Sequence, residues 1–253
     1  MIRTGIHLKA LVVLQVIDDF TGRPVERGTV RLVLPRGVQA VAKEEGIFVI
    51  TGSDVREITC SLTSPVYEEQ YLELNLDSLK SDAGVSPCPY INLRMIPSAA
   101  MPVPPGTTIL EGRAEPGSQI FAVCDHPAAA MKLLTDYEAG KAFVEIYHAS
   151  EESLSGCRIA FGAKGKPEET GRIDRETEDG QCQLAEPLTH SYKRVGTSIY
   201  PVQEGRTDAA GYYRILLRTV PMAGCSCTVI VRKPDGSEER ILRDIVCGER
   251  NSI

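Results

Sequence analysis

The stretch that most constrains this chain is residues 206–217, RTDAAGYYRILL. Asp208-Ala209-Ala210-Gly211 reads as a tight turn, because an Asp carboxylate accepts the backbone N–H two residues on and Gly tolerates positive φ. Tyr213, Ile215 and Leu217 then share one face of the following strand, with Arg214 and Arg218 on the other. A shorter echo lies upstream in Lys43-Glu44-Glu45-Gly46-Ile47-Phe48-Val49-Ile50: an acidic turn, a Gly, an aromatic and an apolar strand. Two such signals in one chain predict two related β-sandwich units.

The length agrees with two units. A chain of 253 residues is long for one sandwich and sufficient for two. A domain of roughly 100–150 residues buries about two-thirds of its unfolded surface, so neither unit requires a metal or disulfide staple. Charge and composition narrow the partners. A net charge of −6 opposes nucleic acid as the main partner, since phosphate binding needs a positive field. The absence of Trp weakens a sugar-stacking surface. Residues 10–17 are apolar apart from Gln15, lack a following small-x-small cleavage site and run into Asp18-Asp19, so they read as a first strand and not as a signal peptide. No stretch approaches the ~20 apolar residues that span a bilayer. A cytoplasmic protein is expected, with its eight cysteines (Cys60, Cys88, Cys124, Cys157, Cys182, Cys225, Cys227, Cys247) as reduced thiols.

Short alternating segments follow one another through the first hundred residues. Residues 29–34 place Val30, Leu32 and Leu34 on one side; residues 71–76 oppose Leu72, Leu74 and Leu76 to Tyr71, Glu73 and Asn75; residues 91–95 oppose Ile91, Leu93 and Met95 to Asn92 and Arg94. Residues 47–50 and 57–62 complete the set. Residues 97–106, PSAAMPVPPG, read as a semi-rigid Pro-rich linker. Beyond it, 108–113, 119–124, 141–148, 158–161, 225–231 and 240–246 read as strands, the last two joined by a turn at Pro234-Asp235-Gly236. Asp125 with Pro127 predicts a helix start, running over 128–138 to Gly140. Residues 162–180 are polar and charged, and read as a long exposed loop dispensable for the fold.

Val16-Ile17-Asp18-Asp19-Phe20-Thr21-Gly22-Arg23-Pro24-Val25 with Glu45-Gly46-Ile47-Phe48-Val49 resembles the carboxypeptidase-regulatory-like, transthyretin-like β-sandwich family. Thr207-Asp208-Ala209-Ala210-Gly211-Tyr212-Tyr213 followed by residues 227–231 resembles the second half of the same pattern. The resemblance covers most of 8–97 but only the two ends of 107–249. It implies a mainly β chain of two immunoglobulin-like or transthyretin-like antiparallel sandwiches: domain 1–97, linker 98–106, and domain 107–253 with a large, partly helical or loop insertion at about 125–200. Such domains act as structural or binding modules. A related subgroup crosslinks a first-strand Lys to a last-strand Asn; Val16 occupies the Lys position here, so no such crosslink is expected. Residues 93–97 and 104–112 are also similar to the sandwich-to-sandwich junction in accessory proteins of phage-tail-like contractile injection particles.

Candidate chemistry is sparse. Cys225 and Cys227 share one face of a strand, a spacing that can chelate a soft metal, but they are in phase with Val229 and Val231 and so read as core. Cys124-Asp125-His126 could add ligands or a Cys/His nucleophile pair; capping and exposure explain it equally well. Gly162-Ala163-Lys164-Gly165-Lys166 fails as a phosphate loop, having two residues between its glycines and Pro167 where a hydroxyl residue belongs. Asp174-x-Glu176-x-Glu178-Asp179-Gly180 departs from a calcium loop, with Gly one position late and Ala185 at the bidentate position. The histidines His7, His126, His148 and His190 form no local ligand set.

The expectation is therefore a non-catalytic structural or interaction protein, with no catalytic, cofactor or metal residues. It would be an assembly component (cap, baseplate or tail accessory) of a phage-tail-like particle. The rival classes are a polymer- or carbohydrate-binding module and an enzyme with its site in 125–200. Residues 11–17 supply the partner surface: Val12, Leu14 and Val16 form one apolar set and Leu11, Val13 and Ile17 another. A sandwich core needs only one of these, leaving the other for other protein subunits or self-association.

Overall fold

The computed structural model of the protein describes residues 9–53, 55–77, 79, 88–126, 131–149, 152–177, 180–218 and 220–253. The chain is nearly all β and divides into two compact units. The first holds the described residues of Met1–Asp18 with Gly22–Met95, and the second Asp19–Thr21 with Ile96–Ile253.

In the first unit the strands are β1 (Lys9–Asp18), β2 (Arg31–Val33), β3 (Gln39–Ala42), β4 (Ile47–Gly52), β5 (Glu57–Thr63), β6 (Gln70–Asn75) and β7 (Tyr90–Met95). They form one sheet of order β3-β4-β1-β7 and a second of order β2-β5-β6. Period-2 alternation decides what is buried. Val12, Leu14 and Val16 of β1, Phe48 and Ile50 of β4, and Leu93 and Met95 of β7 are buried from one sheet; Ile58, Cys60 and Leu62 of β5 and Leu74 of β6 from the other. The register slips between Ala10 and Val12. This bulge takes Leu11 out of the set shared by Val13 and Ile17: Leu11 is buried, while the other two are half-buried.

In the second unit the strands are β8 (Thr108–Arg113), β9 (Gln119–Cys124), β10 (Lys132–Leu133), β11 (Phe143–Tyr147), β12 (Arg158–Ala163), β13 (Lys166–Glu176), β14 (Gln181–Leu184), β15 (Ser198–Arg206), β16 (Tyr212–Leu217), β17 (Cys225–Arg232), β18 (Glu238–Ile245) and β19 (Arg250–Ser252). One sheet has the order β16-β8-β19. The other has nine strands, β10-β11-β14-β13-β12-β15-β9-β17-β18. Leu110, Tyr213, Ile215 and Leu217 pack with Ile120, Ala122, Cys227, Val229 and Ile245 in the core between the three-stranded sheet and the β9-β17-β18 end of the large one. A second core, containing Ile146, Ile159, Phe161, Ile173, Leu184 and Ile199, lies along β10 to β15.

The two units share a plan. β1 lies between antiparallel β4 and parallel β7; β8 lies between antiparallel β16 and parallel β19. β2-β5-β6 and β9-β17-β18 are both antiparallel runs. The turns that open β4 and β16 share two backbone hydrogen bonds and a left-handed glycine. Lys43 N–H donates to Ile47 O and Asp208 N–H to Tyr212 O, each at 2.8 Å. Gly46 (φ 66°) and Gly211 (φ 76°) both sit in the left-handed region. Val16 N–H donates to Gly46 O and Ala114 N–H to Gly211 O, each at 2.9 Å. The difference lies between the equivalent strands β2 and β4, or β9 and β16: the first unit has β3 there, the second has β10 to β15.

Three expectations are corrected. No helix runs from Met131 to Gly140; residues 127–130 lie outside the described residues. Met131 bridges Ile199, β10 pairs with β11, and Tyr137 bridges Tyr192. Met131 and Leu133 are buried while Lys132 and Leu134 are exposed, so the real period is 2 and strand pairing overrides the helix propensity. Residues 162–180 are not a free loop: β13 fills most of them, pairing with β12 and β14. Its buried residues are Pro167, Gly171 and Ile173, and Gly171 lies against Leu188 and Leu184 side chains. An inner face with so little side chain carries almost no hydrophobic signal. Finally, the stretch 98–106 groups with the second unit. Arg214 Nη2 donates to Met101 O at 2.6 Å and Ser98 O at 3.4 Å, tying that stretch to β16.

Candidate functional site

The outer face of the β3-β4-β1-β7 sheet carries an apolar row that no single segment announces. Val41 pairs with Val49, Val49 with Val13, and Val13 with Tyr90. Directly paired residues point to the same side of a sheet, so the four side chains cross all four strands in line. Val41 is 53% and Tyr90 54% exposed; Val13 and Val49 are half-buried between them. Tyr90 O–H donates to Gln15 Oε1 at 2.6 Å, which lays its ring along the sheet. The row is an apolar stripe whose outer ends are open to solvent.

The second unit gathers three of the candidate thiols. Cys124 faces Cys227 directly across β9 and β17, and Cys225 lies on the same face as Cys227. Cys124 and Cys227 are buried and Cys225 partly so, all within the sandwich core. The three sulfurs therefore share one side of the β9–β17 pair. The neighbouring thiols, Cys225 lowering and Cys227 raising, together with burial hold the Cys124 thiol well above the ordinary range. The neighbouring Cys124 thiol, then burial, hold Cys225 up likewise. Asp125 N–H donates to Ser226 O, carrying the ladder one residue past β9, and His126 N–H turns back to Cys124 O. Among the described residues no group of three or more His, Cys, Asp or Glu is arranged to hold a metal ion.

The remaining candidates are structural in geometry. Gly162 to Lys166 form the β12–β13 hairpin, with Ala163 paired to Lys166 and Gly165 at φ 68°; Gly165 N–H donates to Tyr200 Oη at 3.2 Å. Asp174 and Glu176 lie on β13, while Glu178 and Asp179 are outside the described residues, as is His7. Glu176 is a hub. It lies 3.0 Å from His148 Nε2 and accepts from Ser153 Oγ at 3.2 Å and Leu154 N–H at 3.0 Å. Burial pushes its carboxyl up, but these donors reverse the shift and leave it below the ordinary range. Glu169 is a second hub, accepting from Thr189 N–H, Thr189 Oγ1 and His190 N–H; its carboxyl is depressed for the same balance of causes. Sequence reasoning met Glu176 only as a position of the failed calcium loop and missed Glu169, because each carboxylate meets its donors across elements distant in the chain. Nearby, a cleft of about 130 Å³ is lined by Thr135, Asp136, Tyr137, Lys141, Glu145 and Gln181. Its carboxylates are engaged: Asp136 by Lys193 and the Arg194 N–H, Glu145 by Gln181.

No protein-family model matches the chain, and no curated protein matches it in sequence.

Proposed function

We propose that this is a non-catalytic structural or interaction protein that associates through the outer face of its β3-β4-β1-β7 sheet. The observation that carries the reading is the cross-strand row Val41–Val49–Val13–Tyr90. Fully burying an exposed Val-sized side chain is worth about 1.5–3 kcal/mol, a gain still open at Val41 and Tyr90 and in part at Val13 and Val49, where a second protein surface can collect it. The hub carboxylates of the second unit support the absence of catalysis, since both Glu169 and Glu176 are held by local donors. The narrower reading, an accessory component of a phage-tail-like contractile particle, rests on the resemblance of the 93–112 junction.

The test separates fold from association. Light scattering over a range of concentrations should give the wild type a mass above the 27.6 kDa of one chain. Val13→Arg should remain folded and return the mass to that of one chain, whereas Val12→Arg, at a fully buried position, should unfold the first unit. A strictly monomeric wild type, indistinguishable from Val13→Arg, would overturn the proposal.

A further inference from the structure

We infer that β18 is an open sheet edge that pairs antiparallel with β18 of a second copy of this chain, about a two-fold axis at Leu242. β18 ends the nine-stranded sheet and has a neighbour on one side only, β17. Which of its backbone groups face outward follows from the register. Lys233 N–H donates to Ser237 O at 2.9 Å, and hydrogen-bonded pairs recur at every second residue of an antiparallel ladder. The odd-numbered residues of β17 therefore bond Glu239, Ile241, Arg243 and Ile245. Glu238, Arg240, Leu242 and Asp244 turn their N–H and C=O groups away from the sheet. At the next such residue the chain closes its own edge. Val246 N–H donates to Asn251 Oδ1 at 2.8 Å and Val246 O accepts from Asn251 Nδ2 at 3.1 Å, the amide imitating a paired strand. No acceptor among the described residues meets the N–H of Arg240, Leu242 or Asp244. Leu242 O accepts from the exposed Arg243 side chain at 3.1 Å, a contact that a backbone N–H can replace.

Free edges are ordinarily blunted by shortness, a bulge, proline, a covering segment or charge. β18 has eight residues, no proline and an unbroken register, and from Glu238 to Asp244 all but Ile241 are exposed. Charge is the one device left, and here both signs are present in an order that a second copy complements. Directly paired residues share a face. With Leu242 opposite Leu242 of the copy, Arg240 stands opposite Asp244 of the copy, and Asp244 opposite its Arg240. On the other face Glu239 lies diagonal to Arg243 of the copy. Leu242, 61% exposed, meets its own counterpart at the centre. Arg240 is fixed beside the edge by its bonds to the carbonyl oxygens of Pro167 and Glu168. Other registers fit worse. Sliding the copy two residues toward the β17–β18 turn sets Glu238 against Asp244, and four residues sets Arg240 against Arg240. Sliding it the other way runs Arg240 into Val246, whose edge Asn251 already fills. The contact is isologous and closes on itself. It is separate from the outer row of the first unit and weaker, because a single pair of strands is marginal in water. It therefore fills only above the concentrations that test the row.

The test starts from the full chain carrying Val13→Arg, so that the outer row plays no part, followed by sedimentation equilibrium from micromolar to millimolar concentration. The mass should rise from that of one chain in dilute solution toward that of two. Adding Leu242→Pro removes an outward N–H and leaves the ladder to β17 intact, and should hold the mass at one chain throughout. Adding Asp244→Arg sets Arg against Arg240 of the copy and should weaken the pairing roughly tenfold. A second reading, on the wild type, does not depend on Val13→Arg. Amide hydrogen exchange resolved by residue should show Arg240, Leu242 and Asp244 gaining protection as concentration rises, with Glu239, Ile241 and Arg243 protected throughout. A Val13→Arg chain that stays single at millimolar concentration refutes the pairing, as does a dimer that survives Leu242→Pro. Exchange at residues 240, 242 and 244 that ignores concentration refutes it equally.

Discussion

Replacing Gly211 by alanine tests the turn on which the second unit is built. Two costs act there and can be separated. Gly211 has φ 76°, where an L-residue is strained by roughly 1–2 kcal/mol. In addition, an added Cβ would collide with the carbonyl oxygen of Ala114, whose N–H donates to Gly211 O. Moving the two segments apart weakens that hydrogen bond, worth about 1 kcal/mol. The sum is about 2–3 kcal/mol. Gly236 is the control: its φ is 86°, but nothing lies within 4 Å of the Cβ position, so Gly236→Ala should cost only the first term. For a unit of this size each kcal/mol shifts Tm by about 2–4 °C. Thermal unfolding followed by circular dichroism should therefore show a fall of roughly 4–12 °C for Gly211→Ala and about 2–8 °C for Gly236→Ala, with Gly211→Ala the larger by about 2–4 °C. Gly46, which faces Val16 O in the same way, should behave like Gly211 in the first unit. Equal losses at 211 and 236 would refute the close approach as the reason for glycine at this turn.

Two further outcomes are expected. Ile173→Ala should cost about 2–4 kcal/mol by urea denaturation, since Ile173 is fully buried in the core along β10 to β15; a neutral result would return β13 to the status of a loop. Glu176→Gln tests the hub through pH. The folded carboxyl is depressed, so its stabilisation is present above the unfolded value of about 4.3 and is lost as pH falls through the lower folded value. The variant should be less stable at neutral pH by roughly 1–2 kcal/mol and should lose less on acidification below about pH 4.3. Part of the loss will remain, because Glu169 is depressed too; an unchanged acid profile would mean that Glu176 binds its donors equally well when protonated.

What could be read from the sequence was whatever alternation and turn chemistry make local. Residues 119–124 are β9 to the residue, and the Pro234-Asp235-Gly236 turn closes where expected, with Lys233 N–H on Ser237 O at 2.9 Å. The two strands that the sequence did not announce share one cause. β13 turns Gly171 and Pro167 inward, and β3 is four residues long; neither offers enough apolar side chain for periodicity to register, and both owe their strand state to their neighbours. The same holds for function. Cys225 and Cys227 were visible as a pair on one strand, but their contact with Cys124 arises from a register spanning about a hundred residues of chain. The apolar row draws on positions 13, 41, 49 and 90, one from each of four strands, so no window of sequence contains it.

Comparing equivalent positions in the two units shows what a doubly apolar strand requires. β9 sends Ile120, Ala122 and Cys124 into the sandwich core and Phe121 and Val123 into a separate cluster with Ala160, Tyr200, Val202 and Ile230. That second cluster exists because β12 and β15 extend the sheet beyond β9. Arg158 and Arg232 complete it, their guanidinium carbons 4.8 Å and 5.0 Å from the Phe121 ring centroid. β2, the counterpart of β9, has no such neighbour; it is an edge strand of three residues with exposed ends, the short form in which free edges are tolerated. β1 presents the other case. Its inner set, Val12, Leu14 and Val16, is fully buried, while Val13 opposite remains half-buried beside the exposed Val41 and Tyr90. Where the second unit puts apolar residues on both faces of a strand, its own chain supplies the second cover. By the same physical chemistry the outer row of the first unit calls for a cover, and Val13→Arg is the change that would show whether another protein surface supplies it.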